Sequence, residues 1–154
     1  MSDAQDKILE YSVFSISERL FGLEIASVKE VLNFPMITKL PNTQSHVLGI
    51  YNLRGEIISL FDMQQLLGLG SRRPSEKDMV LVIGENNRRF SFLVDKDMDF
   101  VEFERAQIQI PGNGSEFVKG TFVNGSYNHE TLGQILLLDR KLLLEVDRLV
   151  EMSA

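Results

Sequence analysis

The residues with the clearest potential for chemistry are three acids at alternate positions, Asp95, Asp97 and Asp99. They copy the opening of a calcium-binding EF-hand loop, in which carboxylate oxygens coordinate the ion. That loop also requires glycine at its sixth position and glutamate at its twelfth, where this chain has Phe100 and Ala106. We therefore interpret the acids as one solvated face of a strand or turn, and we expect no metal site.

Two histidines and a glycine-rich segment are the other candidates for catalysis. His46 and His129 lie beside turn sequence, and neither is accompanied by an acidic pair at a useful spacing. The segment 112–114, Gly-Asn-Gly, lacks the Lys-Ser/Thr pair of a phosphate-binding loop. The chain has no cysteine, which excludes disulfides and thiolate metal sites. The sequence therefore predicts a protein that is not an enzyme and that uses no cofactor.

Composition and charge narrow the class of protein. The chain has 154 residues, of which 44% are hydrophobic, enough for one domain or for two small units sharing a core. Its 22 acidic and 16 basic residues give a net charge of −6, which argues against nucleic-acid binding. The first ten residues lack the features of a signal peptide, and no apolar run approaches the ~20 residues that span a bilayer. We expect a cytoplasmic protein without membrane insertion.

The segment 47–62, VLGIYNLRGEIISLFD, predicts a binding surface. Its two apolar runs flank Arg54 and Gly55, a pattern typical of a β-hairpin in which the glycine adopts a positive φ angle. A guanidinium held on such a rigid ribbon presents a planar set of hydrogen-bond donors. This arrangement suits recognition of a carboxylate or a backbone carbonyl on a partner.

Most other apolar segments predict short strands separated by turns. We expect hairpins over 11–25, over 79–95 and over 117–138, with the last one turning at a loop that contains Asn124 and Gly125. Apolar residues at helical spacing predict a short helix within 26–32. A second short helix is predicted over 63–69, capped by Asp62. The sequence thus predicts an all-β core with minor helices.

The ends of the chain and one central segment have a different character. Residues 1–9 predict a disordered tail, and the polar segment 70–78 is the strongest candidate for a linker that divides the fold. The amphipathic pattern over 139–150 predicts a C-terminal helix with Asp139 as its N-cap.

The hairpin and its flanks carry a family resemblance. The sequence GIYNLRGEIISLFDMQQLLGL resembles the G-x-x-N-L-R-G-x-x-x-P-x-x-D-L region of CheW-like domains, the adaptor module of bacterial chemotaxis. Ser59 stands where many members have proline. The similarity extends to the segments 21–31, 40–42 and 94–95. The matching positions of the main motif are Gly49, Asn52, Leu53, Arg54, Gly55 and Asp62.

The resemblance implies both a fold and a function. The implied fold is one domain over residues 10–150, made of two SH3-like five-stranded β-barrels packed around a shared hydrophobic core, with a possible break near 70–78. The implied function is that of a non-catalytic scaffold, recruited from the cytoplasm to membrane receptor arrays. Such a scaffold couples the cytoplasmic tips of chemoreceptors to the regulatory domain of the histidine kinase CheA.

The resemblance also implies which residues bind partners. Val28 and Glu30 match family residues at the kinase-facing surface, and Arg54 matches the arginine associated with assembly of the complex. Gly49, Asn52 and Gly55 complete the predicted set. Each assignment has a structural alternative: Val28 as a core contact on a short helix, Glu30 as a solvated charge, and Arg54 as a residue that braces its own turn or pairs within the domain.

Two stretches, 97–101 and 116–130, depart from the family pattern. We expect these departures to affect the choice of partner and to leave the fold unchanged. Two other functions therefore stay open at this point. One is a CheW-like adaptor of another pathway, such as pilus motility. The other is a small β-barrel that binds a ligand in its cleft.

Overall fold

The structure is a computed structural model that describes residues 8–85, 88–95, 98–110, 122–141, 143 and 145. In this part of the chain nearly all regular structure is β, as the alternating apolar patterns predict. The predicted tail 1–9 lies mostly outside the described residues, but Ile8 and Leu9 already belong to the first strand. The strands are β1 (Ile8–Ile16), β2 (Arg19–Glu24), β3 (Val28–Asn33), β4 (Val47–Leu53), β5 (Glu56–Phe61), β6 (Met79–Glu85), β7 (Arg88–Val94), β8 (Met98–Glu104), β9 (Val123–His129) and β10 (Gly133–Leu138).

The described strands form two five-stranded curled sheets, which we call barrel 1 and barrel 2. Barrel 1 has the strand order β8-β1-β2-β10-β9, and barrel 2 has the order β3-β6-β7-β5-β4. One isolated pair of backbone hydrogen bonds links the edges of each barrel, between Gln109 and Ser126 in barrel 1 and between Thr38 and Ile50 in barrel 2. The predicted two-barrel fold is thus confirmed.

The segment 70–78 does not divide the two barrels, which corrects the prediction made from its composition. Strands β3 to β5 precede this segment and β6 and β7 follow it, yet all five belong to barrel 2. Strand β5, before the segment, pairs in parallel with β7, after it; Leu60, for example, lies opposite Ser91. A polar composition indicates an exposed connection, but it does not reveal which strands pair across that connection.

Among the described residues, fifteen buried apolar side chains form a core shared by the two barrels. Barrel 1 contributes residues such as Phe14 and Phe21, and barrel 2 contributes residues such as Phe61 and Phe92. The rings of Phe14 and Phe92 contact each other across the junction, with centroids 5.6 Å apart. Each barrel also has its own smaller apolar cluster.

The helix predicted within 26–32 is wrong for most of its length. Only a single 3-10 turn, Ile25–Ser27, precedes β3. The spacing of Val28, Val31 and Leu32 fits a helix, but pairing with β6 decides the conformation: Val31 lies opposite Leu81 and Leu32 opposite Val80. Backbone hydrogen bonds to a neighbouring strand outweigh a weak local preference.

A hairpin of β9 and β10 lies within the third predicted range, but its first strand and its turn are displaced, and residues 117–121 of that prediction lie outside the described residues. Asn124 and Gly125 lie inside β9, where the pairing with β10 shifts register between Leu137 and Leu138. The turn falls instead over residues 130–132, between β9 and β10. An Asn-Gly pair therefore marks an irregular position in a strand here and not the tip of a hairpin.

The predicted helix after β5 is confirmed as a short helix, α1 (Met63–Leu66). Asp62 caps it, because its Oδ1 accepts a hydrogen bond of 3.3 Å from the Gln65 N–H. The C-terminal helix predicted over 139–150 lies largely outside the described residues and stays a prediction. None of the helices in the described ranges is long and apolar enough to cross a membrane.

Candidate functional site

The hairpin of β4 and β5 holds Arg54 at its tip. Both turn residues have positive φ angles, 51° at Arg54 and 90° at Gly55, as a two-residue type I′ turn requires. Asn52 stabilises the turn, because its Oδ1 accepts a hydrogen bond of 2.8 Å from the Gly55 N–H. Arg54 is thus presented by a short turn whose backbone is tied to the preceding strand.

Arg54 contacts a second predicted site residue, Glu30, on strand β3. Its Nη2 donates a hydrogen bond of 2.5 Å to the Glu30 Oε2. Strands β3 and β4 are the two edge strands of barrel 2, and the hydrogen bonds between Thr38 and Ile50 link the same two edges. The ion pair is therefore a second link across the seam of this barrel.

The electrostatics of the pair follow from its geometry. The hydrogen bond from Arg54 holds the pKa of Glu30 below its usual value, and the charges of Arg54 and Arg89 act in the same direction. The pKa of Arg54 is raised, chiefly by its hydrogen bond to Glu30. The Arg54 side chain remains 66% exposed, against 28% for Glu30. Most of the Arg54 side chain is thus accessible from solvent, although one of its guanidinium nitrogens is occupied.

Two further charges lie close to this pair and were not identified from the sequence. Arg89 Nη1 is 3.5 Å from Glu56 Oε1, and both side chains are exposed. We call the four residues Glu30, Arg54, Glu56 and Arg89 the seam cluster. Glu56 directly follows the turn, but nothing in the local sequence indicates that Arg89, on β7, approaches it.

The other predicted site residues contribute to the packing of barrel 2 or to the shape of its hairpin turn. Val28 is half-buried and packs against the shared core from strand β3, and its predicted role in partner binding stays a prediction. Gly49 is buried beneath the chain at Thr38: a Cβ atom at this position would lie 2.5 Å from the Thr38 carbonyl oxygen. Asn52 and Gly55 shape the turn. Of the six predicted residues, Glu30 and Arg54 are therefore the two whose charged groups face each other at the surface.

The described residues that were considered for metal binding or catalysis make hydrogen bonds and ring contacts within the fold. Asp95 accepts hydrogen bonds from Arg72 and Ser15, whereas Asp99 accepts one from the Phe100 N–H; Asp97 lies outside the described residues. His46 is buried and stacks on Phe61. Among the described residues, no group of three His, Cys, Asp or Glu side chains is arranged to hold a metal ion.

Comparison with known proteins gives this arrangement its context. A family model described as CheW-like domain matches residues 10–149. The chain belongs to the CheW-like domain family. Among CheW relatives, it is 27% identical over 117 residues to the chemotaxis protein CheW of Rhizobium meliloti, covering 75% of each chain. It is 25% identical over 138 residues to the probable chemotaxis protein CheW of Rhizobium etli, covering 90% of this chain and 83% of that one.

A solved CheW structure shares the fold. The crystal structure of the scaffolding protein TtCheW from Thermoanaerobacter tengcongensis superposes with a TM-score of 0.76 at 28% sequence identity. The match covers 86% of this chain and 90% of the other. The two-barrel architecture described above is therefore the architecture of a CheW scaffold.

Proposed function

We propose that this protein is a chemotaxis coupling adaptor, which links the cytoplasmic tips of chemoreceptors to the regulatory domain of the histidine kinase CheA. The observation that carries the proposal is the CheW-like match over residues 10–149, joined with the structural likeness to a scaffolding protein. The adaptor acts by binding and catalyses no step of its own. It works in the cytoplasm, where its receptors recruit it to their arrays.

The seam cluster is the part of the surface that we assign to assembly. Arg54 is held by a tight turn and by Glu30, so binding costs little side-chain entropy. Its guanidinium keeps donors free for a carboxylate or a backbone carbonyl of a partner. Arginine anchors of this kind are among the residues that most often dominate interfaces.

Co-sedimentation with receptor membranes and the kinase of the same organism tests the role of Arg54. We expect Arg54→Ala to lower kinase binding about thirtyfold while the protein stays folded, because an exposed side chain at a turn contributes little to stability. Arg54→Lys is expected to restore part of the binding, since an ammonium keeps the charge but not the planar set of donors. The matched control is Arg19→Ala, an exposed arginine beside the hairpin turn of β1 and β2 in barrel 1.

Exchanging the two charges separates partner binding from bracing of the barrel. The double variant Glu30→Arg with Arg54→Glu can rebuild the ion pair across the seam but reverses the charge at the tip. We expect this variant to remain folded and to fail in assembly. Full assembly by the exchanged pair, or unchanged assembly by Arg54→Ala, would remove Arg54 from the proposed interface.

A further inference from the structure

The segment 70–78, which we call the strap, is held by charged side chains and not by regular structure. The guanidinium of Arg72 donates from Nη1 to Asp95 Oδ1 at 2.5 Å and from Nη2 to Asp78 Oδ1. The backbone N–H of Arg72 donates to Asp62 Oδ2 at 3.3 Å. One residue of the strap thus contacts three carboxylates, at the N-cap of α1, just before β6 and just after β7.

The network reaches barrel 1 through Asp95. Ser15, on β1, donates its hydroxyl to Asp95 Oδ2 at 3.1 Å. The Asp95 N–H in turn donates to the Ser15 carbonyl at 2.8 Å. Arg72 is therefore connected through a single carboxylate to the neighbouring barrel, so its contacts extend over the junction of the two barrels.

Asp78 holds the other end of the strap. Its Oδ2 accepts a hydrogen bond of 2.8 Å from the Ser75 N–H, and its own N–H donates to the Ser75 carbonyl at 2.9 Å. The Asp78 side chain is only 7% exposed and that of Arg72 is 19% exposed. Loss of the guanidinium would leave this nearly buried carboxylate without its counter-charge, which is a strongly unfavourable state.

The strap and the barrels are stabilised by different interactions. The shared apolar core of fifteen buried residues includes none of residues 70–78. The hydrogen bonds and ion pairs described for the strap depend chiefly on Arg72 and Asp78. A segment with few apolar contacts opens locally at lower free energy than the core around it.

We propose that Arg72 is an ionic latch, which holds the strap against the junction of the two barrels and whose loss opens the strap while both barrels stay folded. Opening relieves the uncompensated charge, because Asp78 and Asp95 then become hydrated. The shared core persists, because Arg72 provides none of the apolar contacts of that core. The inference does not depend on the proposed adaptor function, since its test involves no partner.

Amide hydrogen exchange measured by mass spectrometry on the full chain tests the latch. In Arg72→Met we expect peptides from the strap to exchange about tenfold faster or more, since charge-assisted hydrogen bonds to two carboxylates are lost. Peptides from β1, β2, β6 and β7 are expected to exchange as in the parent protein. Arg73→Met, a change at the exposed neighbouring arginine, is the matched control and is expected to leave the strap protected.

Two further variants make the test specific to charge. Asp95→Asn keeps the shape of its side chain but weakens one of the two ion pairs, so we expect faster exchange of the strap in a protein that folds. Adding Asp78→Asn to Arg72→Met removes the more deeply buried of the two uncompensated charges, so this double variant is expected to exchange more slowly than Arg72→Met alone.

Unchanged strap exchange in both Arg72→Met and Asp95→Asn would overturn the latch. Equal acceleration in the strap and in the barrel strands would also overturn it, because Arg72 would then stabilise the whole fold. If Arg72→Met does not fold, Asp95→Asn decides: faster exchange confined to the strap supports the latch, and unchanged or uniformly faster exchange overturns it.

Discussion

At the scale of single residues, Arg54 pairs with Glu30 within the domain and also remains exposed to a partner. Sequence reasoning treats these two roles of Arg54 as alternatives. The ion pair links the edges of barrel 2, yet the Arg54 side chain stays largely exposed. The resemblance to CheW-like domains draws attention to both residues, but it does not predict their contact, because 24 positions of sequence separate them. A tight turn and the curvature of the sheet bring them together.

The pKa of Glu30 reports whether this pair forms in solution. Because Arg54 lowers it, the pair contributes stability above the ordinary glutamate pKa of 4.5, and this contribution is lost as the pH falls through the lowered value. We expect the NMR titration of the Glu30 carboxylate to shift upward in Arg54→Ala. An identical titration in both proteins would mean that the ion pair is absent in solution.

His46 links stability to pH at higher values. Burial lowers its pKa from 6.5, partly opposed by the negative charge of Asp62. The unfolded chain then binds a proton more readily than the folded one, so stability is full above pH 6.5 and decreases as the pH falls towards the lowered pKa. We expect the free energy of unfolding, measured in urea, to decrease more between pH 7.5 and pH 5.5 for the parent than for His46→Gln. Equal pH dependence in the parent and in His46→Gln would contradict this role.

At the scale of elements, the β4–β5 hairpin was the most predictable part of the chain. Its turn, its glycine conformation and the cap of the helix that follows all agree with the sequence pattern. Leu48 and Ile50 are half-buried, whereas Tyr51 is buried. Burial alternates along the strand from Leu48 to Tyr51, so Gly49 and Tyr51 face the interior. The register shift against β5 lies between Val47 and Gly49, and no local sequence signal marks it.

Strand β5 provides a matched pair of positions for testing the register. Ile58 is fully buried in the cluster of barrel 2, whereas its neighbour Ile57 is 59% exposed. We expect Ile58→Ala to lower the free energy of unfolding by about 2–5 kcal/mol, through lost burial and a cavity. Ile57→Ala is expected to cost about 0.5 kcal/mol or less. Equal unfolding curves for the two variants would mean that the strand faces are assigned wrongly.

Gly49 connects the hairpin to the rest of barrel 2. Its close approach to the Thr38 carbonyl leaves no room for a side chain, and the hydrogen bonds between Thr38 and Ile50 lie next to it. We expect Gly49→Ala to destabilise the protein by about 2 kcal/mol or more, because backbone must move. Gly55→Ala is the comparison, since a Cβ there contacts nothing within 4 Å and its cost is conformational only. A Gly49→Ala variant with parental stability and weakened partner binding would instead support the original assignment of Gly49 as a binding residue.

At the scale of the whole molecule, the sequence pattern predicted an all-β core and the resemblance to CheW-like domains implied two barrels, but neither indicated how the chain is shared between the barrels. Barrel 1 combines the first two strands with the last three, and barrel 2 takes the five between them. Parallel pairs, β2 with β10 and β5 with β7, connect segments far apart in sequence. Such long-range pairing has no local sequence signal, which is why a polar segment inside barrel 2 looked like a boundary.

This intertwined arrangement suits a scaffold. Because both barrels contribute to one buried core, surfaces on different barrels keep a fixed relation to each other. A receptor bound to one surface and a kinase bound to another would then be held in a defined geometry, which a flexible linker between independent units would not provide.

The measurement that tests this account most directly is reconstitution of the ternary complex from the receptor membranes and CheA of the same organism. We expect CheA to appear in the membrane pellet when this protein is added, and to appear there far less without it or with Arg54→Ala. Kinase that pellets equally well in the absence of this protein, or an adaptor that remains in the supernatant with both partners present, would contradict the account.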